Sequence, residues 1–372
     1  MMKIQNATLA SLSVDGRGSY GIGASAVERS EDLYTYLRIT DIRDDGTLNM
    51  ADLKSVNDEK AAQYLLKPND IVFARTGAST GRNYFYDGTD GEFVYAGFLI
   101  KFSIDPQKVN PKFVKYYCMS DAYKGWIHSF NTGSTRGNIN AQTLGGMPIP
   151  LSSRQQQDGI VELLSSLDKK IRNNMEVNDN LAQQAQAIYA DIFITNADPT
   201  WPLGHLSDLI TVRYGKDHKK LDDGPFPVYG SGGVMRYVER PIYEKESVLI
   251  PRKGTLNNVM YVNEPFWSVD TMFFTEMKLP DVAKFVFHFV KSKDLASLNA
   301  GSAVPSMTTD ILNAMELYVP DTETLKRFES VVGPVYRAIQ HNTAESKKLA
   351  AVRDSLIPRL MSGELDVSNL EL

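Results

Sequence analysis

The stretch that starts at Gly133 is repeated, without a gap, by the stretch that starts at Gly301. Gly133-Ser134 falls on Gly301-Ser302, Leu144 on Leu312 and Met147 on Met315. Ile171 falls on Ile339, Asn174 on Asn342, and Leu181-Ala182 on Leu349-Ala350. Upstream the register drifts: Phe113-Val114 matches Phe285-Val286, and Arg75-Thr76-Gly77 matches Arg252-Lys253-Gly254. A repeat of this length restricts the chain to an architecture built twice. The invariant register lies in a helical part and the divergence in the part before it. The chain reads as globular unit, long helix, globular unit, long helix: residues 1–150, 151–195, 196–320 and 321–372.

The helical segments carry a seam. In the first, apolar residues recur at Ile160, Leu164, Leu167, Ile171, Leu181, Ala185, Ile188 and Ile192. The second has Phe328, Val332, Val335, Ile339, Leu349 and Leu356. Steps of three and four residues are the spacing of a coiled coil. Asn174 and Asn178 interrupt the first seam, as Asn342 and Ser346 do the second. Polar seam residues cost stability and fix register. The expectation is two antiparallel helices, each about 60 Å long at 1.5 Å per residue, serving as a spacer. A helical hairpin inside one domain is the alternative. Asp198-Pro199-Thr200-Trp201-Pro202 should end the first helix, and Pro358 should bend or stop the second.

Each globular part alternates short strand patterns with turns, which predicts an α+β (mixed α/β) unit. Asp70–Arg75 and Ser247–Arg252 end alike, in an apolar run, Arg-x-Gly and a polar turn. The residue types suit DNA. Arginine pairs with guanine and asparagine with adenine, while hydroxyls and backbone amides suit phosphate oxygens. The candidate contacts in the first unit are Arg75, Thr76, Gly77, Ser79, Thr80, Arg82, Asn83, Arg136 and Asn138. In the second they are Arg213, Lys216, Lys219, Ser231, Arg252, Lys253, Thr255, Asn257 and Asn258. Tyr20-Gly21-Ile22-Gly23 and Tyr229-Gly230-Ser231-Gly232-Gly233 are further segments of this kind. The alternative is ordinary glycine-rich turns, with an arginine pinned by a carboxylate such as Asp270.

Composition limits the function classes. Over 372 residues, 42% hydrophobic and 23% charged residues suit globular domains. No apolar run reaches membrane-spanning length, and Met1–Ala10 has no apolar signal core. The single cysteine, Cys118, can form no internal disulfide, which fits a cytoplasmic protein. A net charge of −5 argues against an unassisted nucleic-acid binder, although binding needs only a local basic surface. No catalytic residue is assigned. An Asn/Asp-Pro-Pro-aromatic methyltransferase motif and a phosphate-binding Gly-x-x-x-x-Gly-Lys-Ser/Thr loop are missing, and Gly230-Ser231-Gly232-Gly233 lacks the Gly-x-Ser-x-Gly form and the base of a nucleophile elbow. His128, His205, His218, His288 and His341 lack metal-ligand spacing.

Several segments together resemble the specificity subunits of type I restriction-modification systems. They are Tyr36–Ile42, Lys67–Gly77, Pro148-Ile149-Pro150, Gln155-Gln156-Gln157 and Leu167-Asp168-Lys169-Lys170-Ile171. Trp201–Gly204, Tyr229–Gly232 and Phe266–Thr271 resemble the second recognition domain. Arg353–Leu365 is very similar to the family's C-terminal signature. Met1-Met2-Lys3-Ile4 departs from the Trp-Pro start of the second domain. The resemblance implies two target-recognition domains reading an asymmetric, bipartite double-stranded DNA target with an unread gap. It implies two modification (methyltransferase) subunits, which bind S-adenosylmethionine and methylate adenine, and restriction subunits driven by ATP. The chain itself then needs no cofactor or metal. The competing readings are a DNA-modifying enzyme with an unrecognised site, a coiled-coil adaptor that binds only proteins, and a free-standing DNA-binding remnant.

Overall fold

The structure, a computed structural model, describes residues 5–130, 138–298 and 306–368. The chain divides into two units, one of residues 1–173 and 344–372 and the other of residues 174–343. Both long helices, Arg154–Ala190 and Thr322–Met361, contribute residues to each unit.

In the first unit, the strand Asp70–Ala74 is apolar after Asp70, β-branched in part and buried along its whole length. Such a strand belongs at a sheet centre, covered on both faces. It pairs antiparallel with Asn83–Tyr86 on one side and Leu99–Ser103 on the other, and Ser19–Tyr20 completes the four-stranded sheet. A second sheet runs Ala26–Val27, Lys54–Val56, Tyr34–Leu37, Phe93–Tyr95, with its last pair parallel. Gln5–Thr8 pairs with Pro148–Leu151. The core gathers Phe73, Phe102, Phe113 and Tyr116 against Ile160 and Leu164 of the first long helix and Ile357 and Leu360 of the second.

The second unit repeats this plan almost strand for strand. Its four-stranded sheet runs Ile210–Tyr214, Met272–Met277, Ser247–Pro251, Met260–Val262. Its smaller sheet runs Gly233–Val238, Phe226–Gly230, Trp267–Ser268, again with the last pair parallel. Leu203–His205 pairs with Glu316–Tyr318. Phe273, Phe285 and Phe328 fill the core with Ala185 and Tyr189 of the first long helix. The expected mixed α/β repeat is thus present in both units.

The long helices pair antiparallel within each unit. In the first unit Arg353 Nη1 donates to Asp168 Oδ1 at 2.9 Å, and Lys170 Nζ lies 3.3 Å from Glu345 Oε2. In the second, Asn342 Nδ2 donates to Asn178 Oδ1 at 3.0 Å, and Asn174 Nδ2 reaches the Asn342 carbonyl at 3.4 Å. The polar seam residues therefore meet one another. Pro358 does not stop its helix, which stays helical to Met361; Gly363, at φ +75°, ends it. The missing Pro358 N–H gives up one helical bond, to the Asp354 carbonyl, and the helix runs on for about one more turn. The first helix ends in a wider π turn, Asp191–Thr195, before Asp198 caps the Thr200 amide at 2.8 Å.

The segments quoted for the family resemblance take up structural positions. Gln156 is buried; its side chain donates to the Leu365 carbonyl and accepts from the Val367 amide, both at 2.8 Å. Gln157 accepts from the Asn110 amide at 3.0 Å. Arg38 grips Asp41 with Nε at 3.1 Å and Nη2 at 2.7 Å.

Candidate nucleic-acid interface

Both candidate arginines stand where the central strand leaves its sheet. The Arg75 amide donates to the Phe98 carbonyl at 3.1 Å, and the Arg75 carbonyl accepts from Ile139 at 2.9 Å. The Arg252 amide donates to the Thr271 carbonyl at 2.8 Å, and the Arg252 carbonyl accepts from Met307 at 2.9 Å. The next residue bridges a strand-like partner in each case: Thr76 to Asn138, Lys253 to Ser306. Two diverged sequences thus hold the arginine in one backbone frame.

The neighbouring residues correspond as well. The Arg75 guanidinium lies over the Tyr20 ring at 5.1 Å and the Phe98 ring at 5.9 Å. The Arg252 guanidinium lies over the Tyr214 ring at 5.3 Å. Each tyrosine is followed by glycine. Gly21 donates to the Leu99 carbonyl and Gly215 to the Met272 carbonyl. A Cβ on Gly21 would overlap the carbonyl oxygens of Tyr95 and Ala96, and one on Gly215 those of Ser268 and Val269. Only glycine permits that approach, and it brings the tyrosine to the arginine. Tyr20 lay in one of the further glycine-rich segments, but neither it nor Phe98 nor Tyr214 was singled out as a contact. The Tyr-Gly dipeptide was the available signal, but it stands at Tyr20-Gly21, Tyr214-Gly215 and Tyr229-Gly230 alike. The sheets make Tyr214 the counterpart of Tyr20, each on the edge strand of its own four-stranded sheet.

The remaining candidates divide between open and committed side chains. In the first unit Gly77–Ser79 form a short 3-10 turn, with Thr80 Oγ1 donating to the Gly77 carbonyl at 2.8 Å and Ser79 buried. Arg82 is tied to Asp44 at 2.7 Å and to the Ile42 carbonyl at 3.2 Å. Asn83 Nδ2 reaches the Cys118 carbonyl at 3.4 Å. Arg82 and Asn83 thus hold the turn from below. Asn138 is exposed, and Arg136 lies outside the described residues.

In the second unit Asn258 Nδ2 donates to the Ser231 carbonyl at 2.8 Å, joining the Lys253–Asn258 loop to the Gly230–Gly233 turn. Asn257 bonds Asp294 and the Ala296 amide, so it serves the loop. Arg213 pairs with Glu276 at 3.0 Å. Lys216, Lys219, Lys253 and Thr255 are exposed, and the Lys216 amide binds the Ser268 carbonyl at 2.8 Å. Arg252, Lys216 and Ser231 thus border one region of this unit. Asp270 does hold Arg252, but through its backbone carbonyl, at 3.1 Å from Nη1, and not through its carboxylate.

Among the described residues no group of three or more His, Cys, Asp or Glu could hold a metal ion. No helix among them is long and apolar enough to cross a membrane. His288 is buried, bonded to Gln186 at 2.8 Å and Tyr336 at 2.9 Å, and burial pushes its pKa down to about 4. The Cys118 thiol is buried, and burial pushes its pKa up.

Comparison with known proteins gives one answer throughout. The model of the type I restriction modification DNA specificity domain matches twice, at residues 28–183 and 200–350. A putative type I specificity subunit of Mycoplasma pneumoniae is 24% identical over 286 residues, covering 69% of this chain and 74% of the relative. The HindI specificity subunit of Haemophilus influenzae is 19% identical, covering 82% and 88%. The crystal structure of the type I system S subunit from M. genitalium superposes with a TM-score of 0.59 at 18% identity, over 96% of each chain. With two matched specificity domains on a repeated mixed α/β framework, the chain belongs to the type I restriction-modification specificity subunits, whose role is recognition of a DNA sequence.

Proposed function

We propose that each unit reads one half of an asymmetric, bipartite duplex target, using the turns that follow Asp70–Ala74 and Ser247–Pro251. One observation carries this reading. The two turns share a backbone frame and an arginine, yet the polar residues after the arginine differ: Thr76–Asn83 in one, Lys253–Asn258 in the other. A shared frame with unlike readers gives two unlike half-sites. Phosphate contacts from exposed Lys216, Lys219 and Lys253 would set the docking register, and base-edge contacts would set the sequence.

Catalysis would reside in partners. Two modification subunits would bind S-adenosylmethionine and methylate adenine in the recognised site, and restriction subunits would use ATP, in the cytoplasm. The chain would supply no cofactor site of its own. The test is a map of methylated adenines in cells with and without this chain. The expected result is a two-part motif with an unread gap that vanishes on deletion. Methylation that survives deletion, or an ungapped motif, would refute the reading.

A further inference from the structure

At the same point of both units an arginine lies over a tyrosine, and the rings involved are open to solvent. Tyr20 is 42% exposed, Phe98 56% and Tyr214 52%. Rings that served the core would be covered. The Arg75 side chain makes no hydrogen bond or ion pair with any described residue, and its Nε is buried without a partner among them. A guanidinium that merely pinned its turn would have an acceptor there. Buried polar groups left unpaired are rare in native proteins and ask for an explanation. Arg252 keeps one anchor, the Asp270 carbonyl, where the first unit has the second ring: Thr271 stands in the place of Phe98. Each guanidinium is therefore held by two contacts, ring and ring in one unit, ring and carbonyl in the other.

We propose, resting on the DNA-reading role above, that this element reads a guanine in each half-site, with Tyr20, Phe98 and Tyr214 as positioning residues. The chemistry separates guanine from the other strong acceptor on a duplex, the phosphate. A phosphate also takes an arginine in a paired fashion, but it stands on every nucleotide alike and carries no sequence. Guanine presents O6 and N7 side by side, and two parallel N–H groups must meet them in one plane. A ring under the guanidinium orients that plane before DNA arrives. Since the two units share the backbone frame, each half-site carries a G·C pair met by its own arginine.

The test uses the tagged full chain isolated from its own cells with the subunits that accompany it. Bound duplexes are selected from a random-sequence library. The selected duplexes are then rebuilt with 7-deazaguanine at each guanine in turn, which removes N7 and keeps base pairing. Each half-site should contain one guanine whose 7-deaza form weakens binding. Arg75→Lys should abolish the preference at that guanine in one half-site, with a loss of about 5- to 150-fold, and add little to a duplex already carrying 7-deazaguanine there. Arg252→Lys should do the same in the other half-site. Tyr20→Ala should weaken the same preference as Arg75→Lys, and Tyr20→Phe, which keeps the ring, should restore it. The unaltered half-site serves within the same molecule as the control for folding. If the lysine variants weaken every sequence equally, the arginines hold phosphate and the inference fails. It fails too if a two-part target is selected and neither variant changes a guanine preference; the DNA-reading role then stands. Selection of no sequence would overturn both.

Discussion

Asp168 collects three donors: Lys115 Nζ at 2.8 Å, Tyr116 Oη at 2.8 Å and Arg353 Nη1 at 2.9 Å. Burial alone would raise its pKa; Lys115, Arg353 and Tyr116 outweigh that, and the carboxyl stays below its ordinary range. Stability from this group is therefore present above the unfolded pKa of about 4 and lost as pH falls through the lower folded value. Removing one partner of a buried ion pair costs about 3–5 kcal/mol. Asp168 is partly exposed, so we expect Asp168→Asn to cost about 2–3 kcal/mol in urea unfolding and to flatten the acid limb. His288 works in a neighbouring window. Its folded pKa of about 4 lies below the ordinary 6.5, chiefly through burial, with Lys291 adding repulsion. The unfolded chain takes up this proton first, so stability is full above about pH 6.5 and declines toward pH 4. His288→Gln should remove that slope, as read by the unfolding midpoint at pH 7 against pH 5; an unchanged slope would assign it to other groups. Sequence placed Asp168 in a family signature and left His288 as one histidine among five. Neither network could be read there, because Tyr116 and Arg353, like Gln186 and Tyr336, reach them from distant parts of the chain.

At the scale of elements, legibility followed the range of the interactions. The long helices were plain in the sequence because three-and-four spacing is a local property; that Asn174, Asn178 and Asn342 bond one another is something only the structure adds. The Arg75 and Arg252 turns were also legible, since an apolar strand and Arg-x-Gly are contiguous. Tyr20 and Tyr214 were not. Tyr20 lies 55 residues before Arg75, while Tyr214 lies 38 before Arg252. Only the pairing of each edge strand with its neighbour brings them into correspondence. Pro358 was expected to bend or stop the second helix near its end, and the helix runs only three residues past it, to Met361. The glycine after each tyrosine gives a test of the frame. Gly215→Ala places a methyl on the carbonyls of Ser268 and Val269. Overpacking of that kind costs about 1–3 kcal/mol. We expect Gly215→Ala to lose that much stability and to weaken recognition of one half-site, with the other intact. A variant of unaltered stability would show that the edge strand shifts freely.

The whole molecule is an exercise in economy of register: both long helices lend residues to both units, so any change in their length acts on the two together. This allows a test of whether the helices set the unread gap. A heptad preserves a three-and-four seam, because seven residues return each side chain to nearly the same face. Inserted into both helices where one unit gives way to the other, after Asn173 and after Thr343, it would keep Asp168 with Arg353 and Asn178 with Asn342. It adds about 10 Å of helix at 1.5 Å per residue. Duplex DNA rises about 3.4 Å per base pair, so the tolerated gap should grow by about three base pairs while both half-sites keep their bases. A heptad in one helix alone would slide the asparagines out of register and should lower stability without giving a defined new gap. Methylation mapping reads both outcomes. If the double insertion leaves the gap unchanged with the protein stably folded, spacing is set by the partner subunits or by the DNA itself, and the helices serve only to complete the two cores.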